Sequence, residues 1–442
     1  DFPLTAALII FIVLYVLMFA FQKYRPYIAL GGGAVFIILG LCGLYDFTPI
    51  DALLCVDYNV LLMIGGTMGI VTLFIDSKMP ARLSEVLISK VPNVKWAVTV
   101  LALFAGVISA FVDNVATVLM VAPIGLAISK KLKISPVPVI ISIAVSSNLQ
   151  GAATLVGDTT SILLGSFANM NFLDFFWMNG RPGIFWAVEL GAFAALAILL
   201  FLFRKDRQPI SCKVETEVED KFPTVLIIGT VVLLILASFL PRPAEGFWSS
   251  VYDMRSGLIC AILCIIGVVR SCIKNKSFLP LAHVAAETDT DTLLLLFGLF
   301  IVIEGIKRAG VIDAAAGLFY SVAGDSPFLL YTLIVFASVL LSAFIDNIPY
   351  VATMLPVVQS IAALMNGGQG FPPEVFYFGL LIGATLGGNL TPIGASANIA
   401  GIGILRKNGE TVTTRDFLRI GVPFTAAAVL VGYAFIWLIW GV

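Results

Sequence analysis

Apolar runs, each long enough to form a helix and separated by short polar stretches, fill the chain. A helix needs about 20 apolar residues to cross the hydrocarbon core of a bilayer. The first run ends at Lys23 and Arg25, as expected for a first transmembrane helix. The runs cover residues 4–22, 27–45, 59–75, 95–112, 115–129, 136–168, 183–203, 222–240, 256–270, 291–308, 326–345, 348–365, 373–405 and 420–441. This pattern predicts an all-α polytopic membrane protein.

Two pairs of runs lie too close together for both members to cross the membrane. Residues 95–112 and 115–129 are divided only by an Asp-Asn dipeptide, and so are residues 326–345 and 348–365. A dipeptide cannot form a loop in water between two full crossings, and non-helical backbone at membrane depth is tolerated only inside protein. Each pair therefore predicts a re-entrant hairpin whose tip stops within the membrane.

Two further runs are too long for one straight helix. Residues 136–168 and 373–405 are interrupted in mid-course by segments rich in Gly, Thr and Asn, from Gln150 to Ser161 and from Gly387 to Asn398. Broken helices of this kind expose backbone groups to a ligand at membrane depth. We therefore expect one broken transmembrane helix after each hairpin.

The second half of the chain repeats the first. At an offset of 233 residues, the sequence SAFVDN at 109–114 falls on SAFIDN at 342–347. At an offset of 237, the segment 149–162 shares a Leu, two Gly, a Thr and an Ile with the segment 386–399. A duplicated membrane chain with interrupted helices at matching positions is typical of a secondary transporter.

Composition supports this class and excludes others. Of 442 residues, 60% are hydrophobic and 12% charged, and the mean hydropathy is +1.03. A soluble domain carries roughly 25% charged residues, so a soluble enzyme and a disordered chain are excluded. The net charge of −1 gives no basic surface, so no nucleic-acid partner is expected.

Basic residues predict the orientation. If the hairpins do not cross and the N-terminus faces out, 21 of the 26 Lys and Arg residues are cytoplasmic, and only Arg181, Arg242, Arg255, Lys307 and Arg308 are outside. Both termini then lie outside a plasma (inner) membrane, and the two halves have inverted topology. The hydrophilic segment 204–221 becomes a mobile cytoplasmic linker, and no Lys or Arg is expected at the embedded site.

The expected organisation alternates scaffold helices and repeats. Its boundaries are 1–57 for N-terminal scaffold helices, 58–203 for repeat 1, 204–221 for the linker, 222–290 for scaffold helices and 291–442 for repeat 2. The hairpins are placed at 95–131 and 326–365, and the broken helices at 136–168 and 373–405. In an inverted pair each hairpin tip meets a helix break near the midplane, so the chemistry is expected there.

The polar residues at these four places form the predicted site. Ion binding or coupling is assigned to Asp113, Asn114, Asp158, Asp346 and Asn347, with sodium at the Asp113/Asn114 and Asp346/Asn347 tips. Oxygen ligands suit a hard cation, and free half-helix N-termini suit an anion. Substrate binding is assigned to Thr117, Asn148, Thr154, Thr159, Thr160, Ser161, Thr385, Asn389, Thr391, Ser396 and Asn398.

The two tip aspartates have an alternative explanation. Each precedes a helical arm, where Asp is a favoured N-cap. An ionisable group at membrane depth costs at least about 2.5 kcal/mol, whereas Asn or Ser would cap without charge, and this favours ion binding. Asp158 poses the same choice between cap and function, but its counterpart in the second half is Ala395.

These motifs resemble the ion transporter superfamily. The segments LSAFIDNIPYVATMLP (341–356), LGGNLTPIGASANIA (386–400), SAFVDNVATVLMVAP (109–123) and AATLVGDTTSI (152–162) carry the likeness. The branch is that of arsenite permeases, D-type sodium/proton antiporters and P-protein-like permeases, with a citrate-transporter-like domain. The resemblance implies a scaffold, a moving transport domain, an elevator motion and a homodimer. Relatives usually have Gly-Asp-Pro-Pro-Asn where this chain has Gly157-Asp158-Thr159-Thr160-Ser161.

The sequence thus predicts a sodium- or proton-coupled secondary transporter for a small anion or oxyanion. One alternative is a sodium (lithium)/proton antiporter without an anion substrate, and another is an arsenite/antimonite efflux permease, for which Cys260, Cys264 and Cys272 are the nearest to a thiol cluster. A passive channel is disfavoured by the broken, repeated helices. We expect no enzyme activity and no cofactor other than sodium ions, with the lipid bilayer and a small ion as partners.

Overall fold

The computed structural model describes residues 2–442, and the fold is all-α. The first half contains α1 (Phe2–Ala20), α2 (Arg25–Leu41), α3 (Pro49–Leu54), α4 (Tyr58–Asp76), α5 (Met79–Ile88), α6 (Val94–Ser109), α7 (Asn114–Leu132), α8 (Val137–Gln150), α9 (Thr159–Phe167) and α10 (Ile184–Leu202). The second half contains α11 (Phe222–Ala237), α12 (Phe247–Asp253), α13 (Arg255–Asn275), α14 (Leu279–Glu287), α15 (Thr290–Arg308), α16 (Val311–Ala323), α17 (Pro327–Ser342), α18 (Asn347–Leu364), α19 (Glu374–Gly387), α20 (Ser396–Lys407) and α21 (Thr414–Trp440).

The remaining regular structure is short. Single 3-10 turns occur at Gln22–Tyr24, Leu173–Phe175, Asn366–Gly368 and Gly388–Leu390, and β1 (Trp177–Met178) pairs antiparallel with β2 (Arg181–Pro182). Eight helices in the described chain are long and apolar enough to span a membrane, which confirms a multi-pass membrane protein. The helices α16 and α17 meet at an angle of 117°, so hairpin 2 enters the fold through a sharp bend.

Small residues let scaffold helices approach closely, and their contacts give the helix directions. The helix α2 runs parallel to α15, because Gly298 lies against the backbone of Ala29 and Gly305 lies against Phe36. A methyl group at Gly298 would come within 2.5 Å of the Ala29 carbonyl carbon. Close packing of glycines against backbone is a common means of helix association in membranes.

The other scaffold pair is built in the same way. The helix α4 runs parallel to α13, because the Gly257 N–H donates to Asn59 Oδ1 (2.8 Å) and Gly66 lies against the backbone of Cys260. The helix α4 runs opposite to α15, because Cys55, before α4, donates to the Phe300 carbonyl, whereas Gly65, farther along α4, lies nearest to Leu293 near the start of α15. The two parallel pairs therefore run in opposite directions, as an inverted repeat requires.

The other layer is a bundle around two helices that are buried along almost their whole length, α8 and α19. Hairpin 1 (α6 and α7) packs on α8, and hairpin 2 (α17 and α18) packs on α19. The two halves interlock, because α20 packs on α7 and α8, and α9 packs on α18 and α19. The helices α10 and α21 close the bundle. We call this layer the bundle, and we call the layer formed by α2/α15 and α4/α13 the scaffold.

The linker forms hydrogen bonds with α5 and with the start of α6. Backbone N–H groups of Val94 and Lys95 donate to the carbonyls of Gln208 and Asp206 at 3.1 and 2.8 Å. Glu85 of α5 accepts hydrogen bonds from the backbone N–H groups of Glu215 and Thr216 and from the Thr216 hydroxyl. The connection between the repeats is therefore held against the base of hairpin 1. These contacts could not be predicted from the sequence, because the linker has no apolar periodicity that would indicate a packing partner.

Candidate functional site

At the first tip, the end of hairpin 1 crosses the break between α8 and α9. The Thr154 hydroxyl donates to the Ala110 carbonyl. A Cβ placed on Gly157 would lie 2.5 Å from the Gly151 carbonyl oxygen and 3.0 Å from that of Ala110. Only glycine fits there, because any side chain would push apart the tip and the break. Backbone carbonyls from both segments thus converge on one buried point.

The second tip has the same construction. The Thr391 hydroxyl donates to the Ala343 carbonyl of hairpin 2. A Cβ on Gly394 would lie 2.5 Å from the Gly388 carbonyl oxygen and 2.9 Å from that of Ala343. The repeated Gly and Thr positions therefore mark two equivalent crossings of a tip over a broken helix.

One pair of equivalent residues differs between the crossings. The Ser161 hydroxyl donates to the Gly151 carbonyl at 2.9 Å. At the matching position, Asn398 donates through Nδ2 to the carbonyls of Gly388 (3.1 Å) and Thr391 (3.3 Å). Its Oδ1 is buried and has no hydrogen-bond partner. A buried acceptor without a partner is costly, so this oxygen is free to bind a cation or another donor.

The acidic side chains cap the half-helices. Asp113 accepts from the N–H groups of Val115 and Ala116 at the start of α7, both at 3.1 Å. Asp158 accepts from the Thr159 N–H (2.8 Å) and the Thr160 hydroxyl (3.0 Å) at the start of α9. Capping is therefore realised at both residues, and it does not exclude ion binding, since each carboxylate has further lone pairs.

A central network joins the two repeats. The Asn114 amide donates to Asn148 Oδ1 (3.0 Å), and the Asn148 amide donates to Asn389 Oδ1 (3.1 Å) and to the Thr385 carbonyl (2.8 Å). The Thr385 hydroxyl bonds in turn to Thr160 at 3.1 Å. Every member is buried. Five predicted residues, from hairpin 1, α8, α9, α19 and the turn after α19, thus form one hydrogen-bonded set.

Asp346 has a partner that the sequence analysis placed elsewhere. The Arg25 guanidinium, at the start of α2, forms an ion pair with Asp346 at the tip of hairpin 2. Arg25 is 23% exposed and Asp346 12% exposed. The expectation that no basic residue reaches the site was therefore wrong. Arg25 follows the first apolar run, and the positive-inside rule explained its presence there as a cytoplasmic charge. Nothing in the sequence indicated a contact between Arg25 and Asp346.

The remaining predicted residues lie near these groups without joining the network. The Thr117 hydroxyl donates to the Asp113 carbonyl at 2.9 Å, within its own helix. Asn347 is buried at the second tip, and Ser396 opens α20. Ser147, which sequence reasoning missed, donates to the Asn114 carbonyl at 3.0 Å. Among residues 2–442, no cluster of three or more His, Cys, Asp or Glu side chains is placed to hold a metal ion.

Two inverted repeats, each with a hairpin tip crossing a broken helix inside a buried bundle, form an architecture typical of membrane transporters. The chain belongs to the citrate transporter family, whose model matches residues 7–383 and 259–441. Similar proteins include an uncharacterized transporter of Mycobacterium tuberculosis, 28% identical over 441 residues and covering 98% of both chains. The P protein of Homo sapiens is 26% identical over 450 residues, covering 86% of this chain and 53% of that protein.

Solved structures with the same fold are also transporters. The YdaH transporter of Alcanivorax borkumensis matches with a TM-score of 0.58 and 14% identity, covering 99% of this chain and 98% of that one. MtrF of Neisseria gonorrhoeae matches with a TM-score of 0.55 and 16% identity, covering 86% and 80%. The family and these relatives are described as transporters, so the chain is a transporter and not an enzyme.

Proposed function

We propose that this protein is a secondary active transporter that couples sodium or proton movement to transport of a small anion or oxyanion by an elevator motion of the bundle against the scaffold. The family description names citrate, which makes citrate the first substrate to test. The observation that carries the proposal is the duplicated crossing of a hairpin tip over a broken helix, with carbonyls, hydroxyls and one carboxylate at each tip.

Cation binding is supported by the chemistry of the two tips. The carbonyls of Ala110 and Gly151 at one tip, and of Ala343 and Gly388 at the other, are uncharged oxygens of the kind a hard cation prefers. The unpartnered Asn398 Oδ1 adds one more oxygen at the second tip. We assign the sodium sites to these tips, beside Asp113 and Asp346.

Anion binding is supported by the start of α20. Its N-cap residue is Ala395, which has no side chain to accept from the first N–H groups. The equivalent start of α9 is capped by Asp158. An uncapped half-helix N-terminus carries partial positive charge from its free N–H groups and the helix dipole. The bundle therefore offers an anion one favourable half-helix end, and the other is already occupied by a carboxylate.

Coupling follows from the cost of uncompensated charge. Asp113 and Asp158 both lie at the first crossing, Asp113 at the tip of hairpin 1 and Asp158 at the helix break. An anion placed among these groups would be repelled unless cations neutralised them first. Loaded tips should therefore bind anion and move, whereas an empty first tip leaves Asp113 and Asp158 uncompensated and resists passage through the bilayer.

The test is uptake of labelled citrate and a panel of oxyanions into proteoliposomes under sodium or proton gradients. We expect Asp113→Asn and Asp346→Asn to abolish gradient-driven uptake. The matched control is Asp253→Asn, an exposed acid at the end of α12 that pairs with Arg242, and it should transport normally. Normal, still gradient-dependent uptake by both tip variants would overturn the proposal.

A second candidate is a sodium (lithium)/proton antiporter with no anion substrate. The ion pair of Arg25 with Asp346 favours it, because the basic residue nearest the tip is committed to a carboxylate and is not free for an anion. Proton efflux on adding sodium or lithium, without any added anion, would distinguish it. The arsenite alternative gains no support, since neither crossing described above includes a thiol.

A further inference from the structure

The scaffold contains a second arginine in the position of Arg25. Arg25 is the first residue of α2, and Arg255 is the first residue of α13. The helices match in their packing: Ala29 of α2 meets Gly298 of α15, and Cys260 of α13 meets Gly66 of α4. Measured from these contacts, the two arginines occupy equivalent places to within one residue.

The two arginines lie at opposite ends of the scaffold. The pair α2/α15 runs opposite to the pair α4/α13, so the start of α2 and the start of α13 point to different membrane surfaces. In each half an arginine thus opens the helix that packs beside α4 or α15, the two equivalent helices of the repeat, from the other half. An inverted repeat makes these two environments exchange when the bundle moves from one end of the scaffold to the other.

Only one arginine now contacts a hairpin tip. Arg25 pairs with Asp346, and on the same side Tyr15 of α1 bonds to Thr353 of hairpin 2. Arg255 instead donates to the carbonyl of Tyr252 (3.0 Å), and its guanidinium lies 4.1 Å from the centre of that ring.

The surroundings of Arg255 show the same asymmetry. It faces a cavity of 560 Å³ between scaffold and bundle, lined also by Asp57, Ser166 and Arg242. Hairpin 1 does not line this cavity. The scaffold therefore contacts the tip of one hairpin and leaves the equivalent contact of the other open, as expected for one of two alternating states.

We propose that Arg25 and Arg255 act as tethered cations that pair in alternation with the two hairpin tips: Arg25 with Asp346 in the state described here, and Arg255 with Asp113 after the bundle has moved to the opposite end. Each guanidinium occupies the carboxylate that a transported cation would otherwise neutralise. Arg25 and Arg255 are positioning residues that stabilise the end states. The proposal rests on the proposed function only in requiring a moving bundle.

The consequence is competition at one tip in each state. Removing the partner of a largely buried charge is unfavourable, so release of Asp346, 12% exposed, from Arg25 requires another cation or a proton at that carboxylate. Cation binding then frees the bundle to move, and the opposite arginine receives the other tip. The two ion pairs would thereby link cation occupancy to the position of the bundle without a direct contact between the tips.

Cross-linking tests the alternation without any substrate. In a background lacking the six native cysteines, the pairs Arg25→Cys/Asp346→Cys and Arg255→Cys/Asp113→Cys are treated with a short bis-methanethiosulfonate, because an arginine spans further than a disulfide allows. Both pairs straddle the linker, so a protease site within residues 213–218 reports cross-linking as halves that stay together on a denaturing gel. The exchanged pairs, Arg25→Cys/Asp113→Cys and Arg255→Cys/Asp346→Cys, are the controls. Both members of each exchanged pair lie on one side of the linker, so their cross-links are detected as linked peptides by mass spectrometry, as are those of the matched pairs.

We expect both matched pairs to hold the halves together after linker cleavage, and we expect neither exchanged pair to give a linked peptide. Failure of Arg255→Cys/Asp113→Cys in a monodisperse protein that cross-links at Arg25→Cys/Asp346→Cys would overturn the proposal, and so would equal cross-linking of the exchanged pairs. A second readout uses single variants: Arg255→Gln should slow turnover by at least about tenfold, since the end state loses its ion pair, whereas Arg242→Gln, which lines the same cavity, should not. Because cross-linking needs neither ion nor anion, it separates failure of this proposal from failure of the transport assignment.

Discussion

Replacing Asn148 by alanine would remove the residue that joins the two repeats at the centre of the bundle. The side chain is fully buried and makes three hydrogen bonds, to Asn114, Asn389 and the Thr385 carbonyl. Hydrogen bonds between membrane helices contribute about 0.6 kcal/mol on average and up to about 1.7 kcal/mol. Three such bonds, with their partners left unpaired in a site closed to water, give an expected loss of roughly 2–5 kcal/mol.

The assay is reversible unfolding in mixed micelles of mild detergent and dodecyl sulfate, followed by circular dichroism or tryptophan fluorescence. The matched control is Ser142→Ala on the same helix, because Ser142 is equally buried but donates only to the Pro138 carbonyl one turn away. That variant should lose less than about 1 kcal/mol. Equal destabilisation by the two variants would refute the role of Asn148 as the connection between repeats.

Three further outcomes follow from the structure. Gly157→Ala should destabilise the protein by about 1–3 kcal/mol in the same unfolding assay, because the added Cβ would meet backbone oxygens. Gly403→Ala should be neutral, because nothing lies within 4 Å of a Cβ there. Equal effects of the two variants would contradict the close contact of hairpin tip 1 with the helix break. Sodium should raise the melting temperature of the parent protein. Asn398→Ala should lose this increase, whereas Asn408→Ala, at an exposed position, should keep it. An increase retained by both variants would exclude Asn398 as a sodium ligand. Burial opposes ionisation of Glu85, but hydrogen bonds from the linker prevail and lower its pKa. Linker docking should therefore persist at neutral pH and be lost only as pH falls through that lowered pKa, and Glu85→Gln should increase linker proteolysis at pH 7; unchanged cleavage would contradict this.

Sequence reasoning was most effective where apolar length and repetition determine structure. Each Asp-Asn dipeptide is too short to form a loop in water between two membrane crossings, which predicted the hairpins. In the structure the second arms of the hairpins, α7 and α18, begin at Asn114 and Asn347. The breaks could be predicted because residues that do not favour a helix interrupt otherwise continuous apolar runs. The offset between repeats also predicted which residues are equivalent, including Gly157 and Gly394.

What the sequence could not predict depends on contacts between distant segments. The ion pair of Arg25 with Asp346 joins residues separated by 321 positions, and the positive-inside rule already explained the arginine. The docking of the linker depends on Glu85, whose charge is ordinary for a surface helix. The difference between Ser161 and Asn398 was visible, but only burial shows that the asparagine oxygen has no partner.

The most direct test of the account is accumulation of labelled citrate in proteoliposomes containing the unmodified protein, under an imposed sodium or proton gradient. We predict accumulation above the external concentration while the gradient lasts, and its collapse when an ionophore removes that gradient. Uptake that merely equilibrates citrate, at the same rate with or without either gradient, would contradict ion-coupled transport by this protein.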